Sequence, residues 1–139
     1  MGQWVSDNHT NADAYLGSAL PFVTGSVVLT TTPQKISFPY ITRWIVVANT
    51  HATVEMRFGF TENGVNANPA SNSNYFLLNA ADGDSNTCVT PRLELKCDSI
   101  WVRSDAGTGA CSIIAGYTGI PHNNFPGPLT GSNDFSGVG

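Results

Sequence analysis

Thr42-Arg43-Trp44-Ile45-Val46-Val47-Ala48-Asn49 and, one short turn later, Val54-Glu55-Met56-Arg57-Phe58-Gly59-Phe60 decide the fold. The first stretch is apolar and β-branched through its middle, the pattern of a strand with both faces covered, so a central position is predicted for it. The second alternates. A period of two puts Val54, Met56, Phe58 and Phe60 on one side and Glu55, Arg57 and Gly59 on the other. Glu55 and Arg57 then face outward, where the expected role is pairing with charges on adjacent strands.

Strand signals continue on either side of this pair. Upstream lie Leu20 to Thr24, Ser26 to Thr31 and Lys35 to Phe38, with Pro33 between the last two. Downstream lie Tyr75 to Leu78, Arg92 to Lys96, Ser99 to Ser104, and Ala110 to Ala115 running on through Gly116-Tyr117-Thr118-Gly119-Ile120. Tyr75 opens an apolar run and is read as core. Helix is not predicted anywhere, because each candidate segment is short, β-branched or broken by Gly, Pro or Asn. Short strands separated by turn residues predict an all-β chain, an antiparallel β-sandwich of jelly-roll-like type with extended N- and C-terminal arms. The expected organisation is an arm over residues 1–15, a sandwich domain over 16–120 and a second arm over 121–139. Two connections are long. Thr61 to Asn74 is expected to be a loop with a tight turn at Asn63-Gly64, and Asn79 to Thr87 carries Ala81-Asp82-Gly83-Asp84.

A chain of 139 residues suits one domain and buries roughly 70% of its unfolded surface, enough for a core without metals or disulfides. Charged residues are 12% of it, against roughly 25% in ordinary soluble domains. Asn, Ser, Thr and Gly must therefore supply the polar surface. Such groups enter interfaces without the desolvation cost of charges. A net charge of −4 with six scattered basic residues argues against a nucleic-acid binder, which needs clustered Lys and Arg. Apolar runs stop short of a membrane span, and Met1-Gly2-Gln3-Trp4 does not open a signal peptide. Cys88, Cys97 and Cys111 match no zinc or redox spacing. They are expected to be reduced structural thiols, as in a cytoplasm.

No local motif supports catalysis. His9, His51 and His122 belong to no metal or protease pattern and are read as surface residues. Asp82-Gly83-Asp84 lacks the remaining ligands of a calcium loop. No catalytic, metal-binding or cofactor-binding residue is predicted. The arms remain. Trp4 and Tyr15 at one end and Phe125, Leu129 and Phe135 at the other are large apolar residues in otherwise polar, Gly- and Pro-rich chain. They are the candidate assembly contacts, side chains that insert into a neighbour's pockets. Extended, residues 121–139 span roughly 60 Å at ~3.3 Å per residue, enough to cross an adjacent subunit. The competing reading folds the tail back on its own sandwich.

The stretch from Trp44 to Ile120 resembles a recurrent type of small tailed-phage virion protein. The resemblance rests on Trp44-Ile45-Val46-Val47-Ala48-Asn49-Thr50, on Met56-Arg57-Phe58-Gly59-Phe60-Thr61-Glu62-Asn63-Gly64-Val65, on Asn74-Tyr75-Phe76-Leu77-Leu78, on Cys97-Asp98-Ser99-Ile100-Trp101-Val102-Arg103-Ser104, and on Ile114-Ala115-Gly116-Tyr117-Thr118-Gly119-Ile120. Those proteins are non-enzymatic β-sandwiches that decorate or cement the capsid exterior. The resemblance implies the same role here, with the major capsid protein and neighbouring copies of this chain as partners and a trimer as one symmetric solution. It also implies a place on the outside of the virion after synthesis in the host cytoplasm, and no nucleic-acid or membrane partner. Two alternatives stand beside it. One is a phage tail-fibre or receptor-binding module that recognises host glycans through Thr61 to Asn74. The other is a non-viral sandwich interaction domain.

Overall fold

The computed structural model describes residues 19–67, 73–82 and 87–124. These form seven strands: β1 (Leu20–Leu29), β2 (Gln34–Ser37), β3 (Tyr40–Asn49), β4 (Met56–Gly59), β5 (Phe76–Leu78), β6 (Ser99–Ser104) and β7 (Gly109–Pro121). One helical turn, α1 (Glu62–Asn66), follows β4, and a 3-10 turn (His122–Asn124) follows β7. The strands make two antiparallel sheets, ordered β1-β7-β3 and β2-β6-β4-β5. Their facing sides close on one core. Leu29, Ile45, Val47, Cys111, Ile113 and Ala115 of the first sheet meet Met56, Phe58, Leu78, Ile100 and Val102 of the second. This is the expected all-β sandwich.

The first sheet has a fourth member that is not a regular strand. Residues 88–97 run antiparallel along β3, with Ile45 and Leu93 exchanging backbone hydrogen bonds at 2.9 Å in each direction. Pro91 lacks an N–H and breaks the ladder, and side-chain hydroxyls fill the gaps. Thr90 Oγ1 accepts from the Val47 N–H at 3.0 Å. Thr42 Oγ1 accepts from the Cys97 N–H at 3.0 Å and donates to the Leu95 carbonyl at 2.7 Å. The expected alternation of Arg92 to Lys96 is therefore real, with Leu93 and Leu95 packed against the core, although no regular strand forms there.

Asn49, at the end of β3, ties the two sheets together. Its buried carboxamide donates to the carbonyls of Val54 at 2.8 Å, Asn79 at 2.9 Å and Leu78 at 3.3 Å, and accepts from the His51 N–H at 3.0 Å. His51 is not merely a surface residue. Its Nδ1 accepts from the N–H groups of Thr53 and Val54 and shapes the turn into β4.

Several expectations are corrected. The two stretches around Gly25 are one strand, β1, kinked by a bulge between Thr24 and Val27 where Ser26 takes φ 55°. Asn63-Gly64 is not a tight turn with positive φ. It sits inside α1, because the Thr61 hydroxyl caps the Gly64 N–H at 3.0 Å and Val65 is buried. Tyr75 precedes β5 and is half-buried rather than core, with the Arg57 guanidinium 4.4 Å above its ring. The β3 run is not covered on both faces. Ile45, Val47 and Asn49 are buried, while Trp44, Val46 and Ala48 occupy the outer face, half-buried.

Removing the carboxamide in Asn49→Ala leaves buried carbonyls without donors, and a loss of about 2–3 kcal/mol in urea denaturation is expected. Alkaline pH supplies a second check. Burial pushes the Cys111 thiol up to about 11 and the Tyr117 phenol up to about 12, and it raises Cys97 as well. All three are protonated more in the folded than in the unfolded chain above their ordinary pKa values near 9 and 10. Stability is therefore complete below pH ~9 and falls as pH rises toward 12. Urea midpoints measured across this range should decline, and Tyr117→Phe should remove the part of the decline above pH ~10.

Candidate functional site

Across the first sheet the register lines up outward-facing residues in rows. Val23, Ile114 and Val46 form one, and Pro21, Gly116 and Trp44 form the next. Val28 and Ala110 pair on this side, as do Ala48 and Val89. Val23 is 73% exposed, Val28 61% and Ile114 44%. Among the paired positions of these rows Ser112 is the polar one and none carries a charge, while Ser26 lies exposed in the β1 bulge and Arg43 half-buried in the β3 bulge beside Trp44. At the border Arg92, Glu94 and Lys96 lie exposed on the 88–97 segment, and Arg92 pairs with Glu94. The result is an apolar centre with a charged rim on one side, the anatomy of a protein interface.

Two features flatten this face. Gly116 has no side chain, and the Trp44 indole lies across it to reach Ala19. A Cβ at Gly116 would overlap both the indole and the Ala19 methyl. Trp44 can lie there because a register shift between Thr42 and Trp44 turns Thr42 inward to bond the 88–97 segment while Trp44 stays outside.

The outer face of the second sheet is polar. Arg57 and Arg103 stand directly opposite one another on β4 and β6. Asp105 takes Arg57, with Nε donating to Oδ1 at 2.6 Å, so the partner of Arg57 comes from the loop after β6 rather than from an adjacent strand. Arg103 donates to Asn66 Oδ1 at 2.7 Å and to the Ser104 carbonyl at 3.0 Å. Burial first, then the charge of Arg57, pushes the Arg103 guanidinium below its ordinary pKa. Both arginines hold α1 against the sheet, Arg57 by donating to the Val65 carbonyl at 3.3 Å. This cluster fastens the first half of the Thr61 to Asn74 connection to the sandwich.

Between β5, the last described strand of its sheet, and the 88–97 segment the two sheets part. A cleft of about 410 Å³ opens there, with Phe58, Phe60, Tyr75, Phe76, Leu93 and Leu95 among its walls. Among the described residues no charged side chain lines it.

The predicted contacts Trp4, Tyr15, Phe125, Leu129 and Phe135 lie outside the described residues, as do His9, Gly83 and Asp84. The chain nevertheless enters and leaves the sandwich at one end. Leu20 pairs with Tyr117, and Pro121 pairs with Tyr40. Cys97 and Cys111 are buried free thiols and Cys88 is half-buried. Among the described residues no three His, Cys, Asp or Glu side chains group to hold a metal, and no helix is long and apolar enough to cross a membrane. Sequence reasoning missed the outer face. Its signal was present in the unbroken β3 run, where Trp44, Val46 and Ala48 make the second side as apolar as the first. No protein-family model, curated protein or solved structure matches this chain.

The paving of the face gives a direct check on its geometry. Gly116→Ala must displace the Trp44 indole, with a loss of about 1–3 kcal/mol by denaturation and a shifted tryptophan emission in the native protein. An unchanged midpoint and spectrum would contradict this packing.

Proposed function

We propose that this chain is a structural subunit of a virus particle, a capsid decoration or cement protein that docks through the outer face of its first sheet. The observation that carries the reading is the uncharged apolar centre of that face, with Arg92, Glu94 and Lys96 along one border. A contiguous apolar patch on a soluble domain is costly to leave in water and marks a binding surface. The low charge of the whole chain, 12% of residues, and the resemblance of Trp44 to Ile120 to phage virion proteins support the same reading. The partner is the major capsid protein, and no reaction is needed. Each bridging subunit adds contacts that must break together before a shell opens, so modest individual affinities combine into a large stabilisation. Trp4, Tyr15, Phe125, Leu129 and Phe135 belong to the same proposal as contacts beyond the sandwich. Entry and exit of the chain at one end would direct both flanking segments to the same neighbourhood.

A glycan-recognising module would use the Thr61 to Asn74 connection. In the described first half of that connection Val65 is buried and Asn66 is held by Arg103, which leaves Glu62 and Asn63 exposed. The sheet face is the better-supported binding surface.

The test is a double substitution, Val23→Asp with Ile114→Lys, made on exposed positions that the core does not use. Binding to capsid shells stripped of the protein should weaken at least tenfold, with the thermal midpoint nearly unchanged and a Lys35→Glu control on the other sheet binding normally. Equal binding by the double variant would remove this function from the face.

A further inference from the structure

The Asn63-Gly64 pair in α1 has no part in the docking face and carries a chemistry of its own. We propose that it is a self-modification site: the Gly64 nitrogen closes on the Asn63 side chain to form a succinimide, water opens the ring, and the product releases α1 from the second sheet. Thr61 holds the reaction off while the turn is folded. The inference goes beyond the docking reading and is tested on the chain alone.

The pair is singular in the sequence. Of the asparagines in the chain, Asn63 alone precedes a glycine. A glycine leaves the attacking nitrogen unhindered and lets the backbone bend into a five-membered ring. Asn63 lies exposed, so water reaches its carboxamide. Packing fixes the glycine in place. A Cβ at position 64 would come within 2.8 Å of both the Asn74 carbonyl oxygen and Thr61 Oγ1.

The folded turn keeps the reacting atoms apart. The Gly64 N–H donates to Thr61 Oγ1 at 3.0 Å, and Gly64 is buried. A nitrogen held this way retains the proton that it must lose before it attacks. Ring closure also needs the Asn63 ψ angle to leave the helical range, which swings the Gly64 nitrogen over the side-chain carbonyl. Two hydrogen bonds oppose that rotation. The Ala67 N–H binds the Asn63 carbonyl, and the Val65 N–H donates to the Thr61 carbonyl at 3.3 Å. The reaction therefore runs from the opened turn, at a rate set by how often α1 opens.

The chemistry needs water alone. The Gly64 nitrogen bonds to Asn63 Cγ, and its proton passes through solvent to the departing nitrogen. The Cγ–Nδ2 bond breaks, and ammonia leaves. Water then cleaves one of the two ring C–N bonds. Cleavage at Cγ leaves aspartate, and cleavage at the main-chain carbonyl carbon leaves isoaspartate. Either product sets a new carboxylate beside Glu62. Isoaspartate also inserts a methylene into the backbone inside the turn that Thr61 closes, so the Gly64 N–H no longer meets Oγ1. Val65, fully buried, then loses its seat. With it go the bonds from Arg57 to the Val65 carbonyl at 3.3 Å and from Arg103 to Asn66 Oδ1 at 2.7 Å.

The test follows the full-length chain in mildly alkaline buffer, with peptide mass mapping that separates aspartate from isoaspartate at position 63. The native chain should convert at least about tenfold more slowly than the same chain unfolded in urea. Thr61→Ala should convert roughly fivefold faster than the native chain, the effect of a lost cap on the opening equilibrium. Thr61→Ser keeps the hydroxyl and should convert at the native rate. Circular dichroism verifies the fold of both variants, and the comparison with urea needs neither. The isoaspartyl chain separates by ion exchange. Its Val65 and Ala67 amides should lose hydrogen-exchange protection while those of β3 and β7 keep theirs. Equal rates in buffer and urea, a Thr61→Ala rate no faster than native, a Thr61→Ser rate matching Thr61→Ala, or an isoaspartyl chain with Val65 and Ala67 still protected each overturns the proposal.

Discussion

The pairing of β3 with β7 is the constraint on which the rest depends. β7 is hydrogen-bonded on both sides, to β1 and to β3, and its register decides which residues of three strands face the core. A slip of one residue would exchange Ile45, Val47, Ile113 and Ala115 for Trp44, Val46, Ser112 and Ile114. Such a slip is opposed less by the loss of apolar character, since both sides are apolar, than by shape and polar satisfaction. Asn49 must point inward to reach the carbonyls of Val54, Leu78 and Asn79, and Thr42 must point inward to bond residues 95–97. Polar side chains at the two ends of β3 thus fix the register of an otherwise ambiguous strand. A buried carboxamide or hydroxyl has few acceptable positions, whereas a valine has many.

Much of the fold was legible in the sequence, and the reasons are physical. Val54 to Phe60 and Ser99 to Ser104 alternate because one side of the second sheet is dry and the other carries Arg57, Arg103 and Trp101. Period two reports that directly. The β3 run was harder. An unbroken apolar strand is read as doubly covered, and the same residues describe equally well a strand whose second side is covered only in an assembly. Sequence cannot distinguish burial within one chain from burial between chains. The helical turn α1 was missed because Asn63-Gly64 is a strong local turn signal. The Thr61 cap and the burial of Val65 against the sheet outweigh it. The irregular path of residues 88–97 was also out of reach, since it depends on Thr42 and Thr90, 55 and 43 residues from their partners in sequence. The cleft, made where two sheet edges part, has no local signature at all.

The two faces of the molecule divide the work. The second sheet is closed off by α1 and by arginines whose donors are spent on Asp105, Asn66 and backbone carbonyls. The first sheet offers, around Val23, Val46 and Ile114, an apolar surface that water solvates poorly. On the proposed reading, a sandwich built this way serves as a spacer that docks through one side. Docking through such a face would act through buried apolar area. Association should accordingly depend weakly on salt, unlike the steep salt dependence of charge-driven binding.

The central claim is that the outer face of the first sheet is covered by protein in the particle. Hydroxyl-radical footprinting of the free and the particle-bound chain measures this most directly. The account requires Val23, Trp44 and Ile114 to become strongly protected on binding while Lys35 and Trp101 on the other sheet keep their free-state reactivity. Unchanged oxidation of Val23, Trp44 and Ile114 in the bound protein would contradict it.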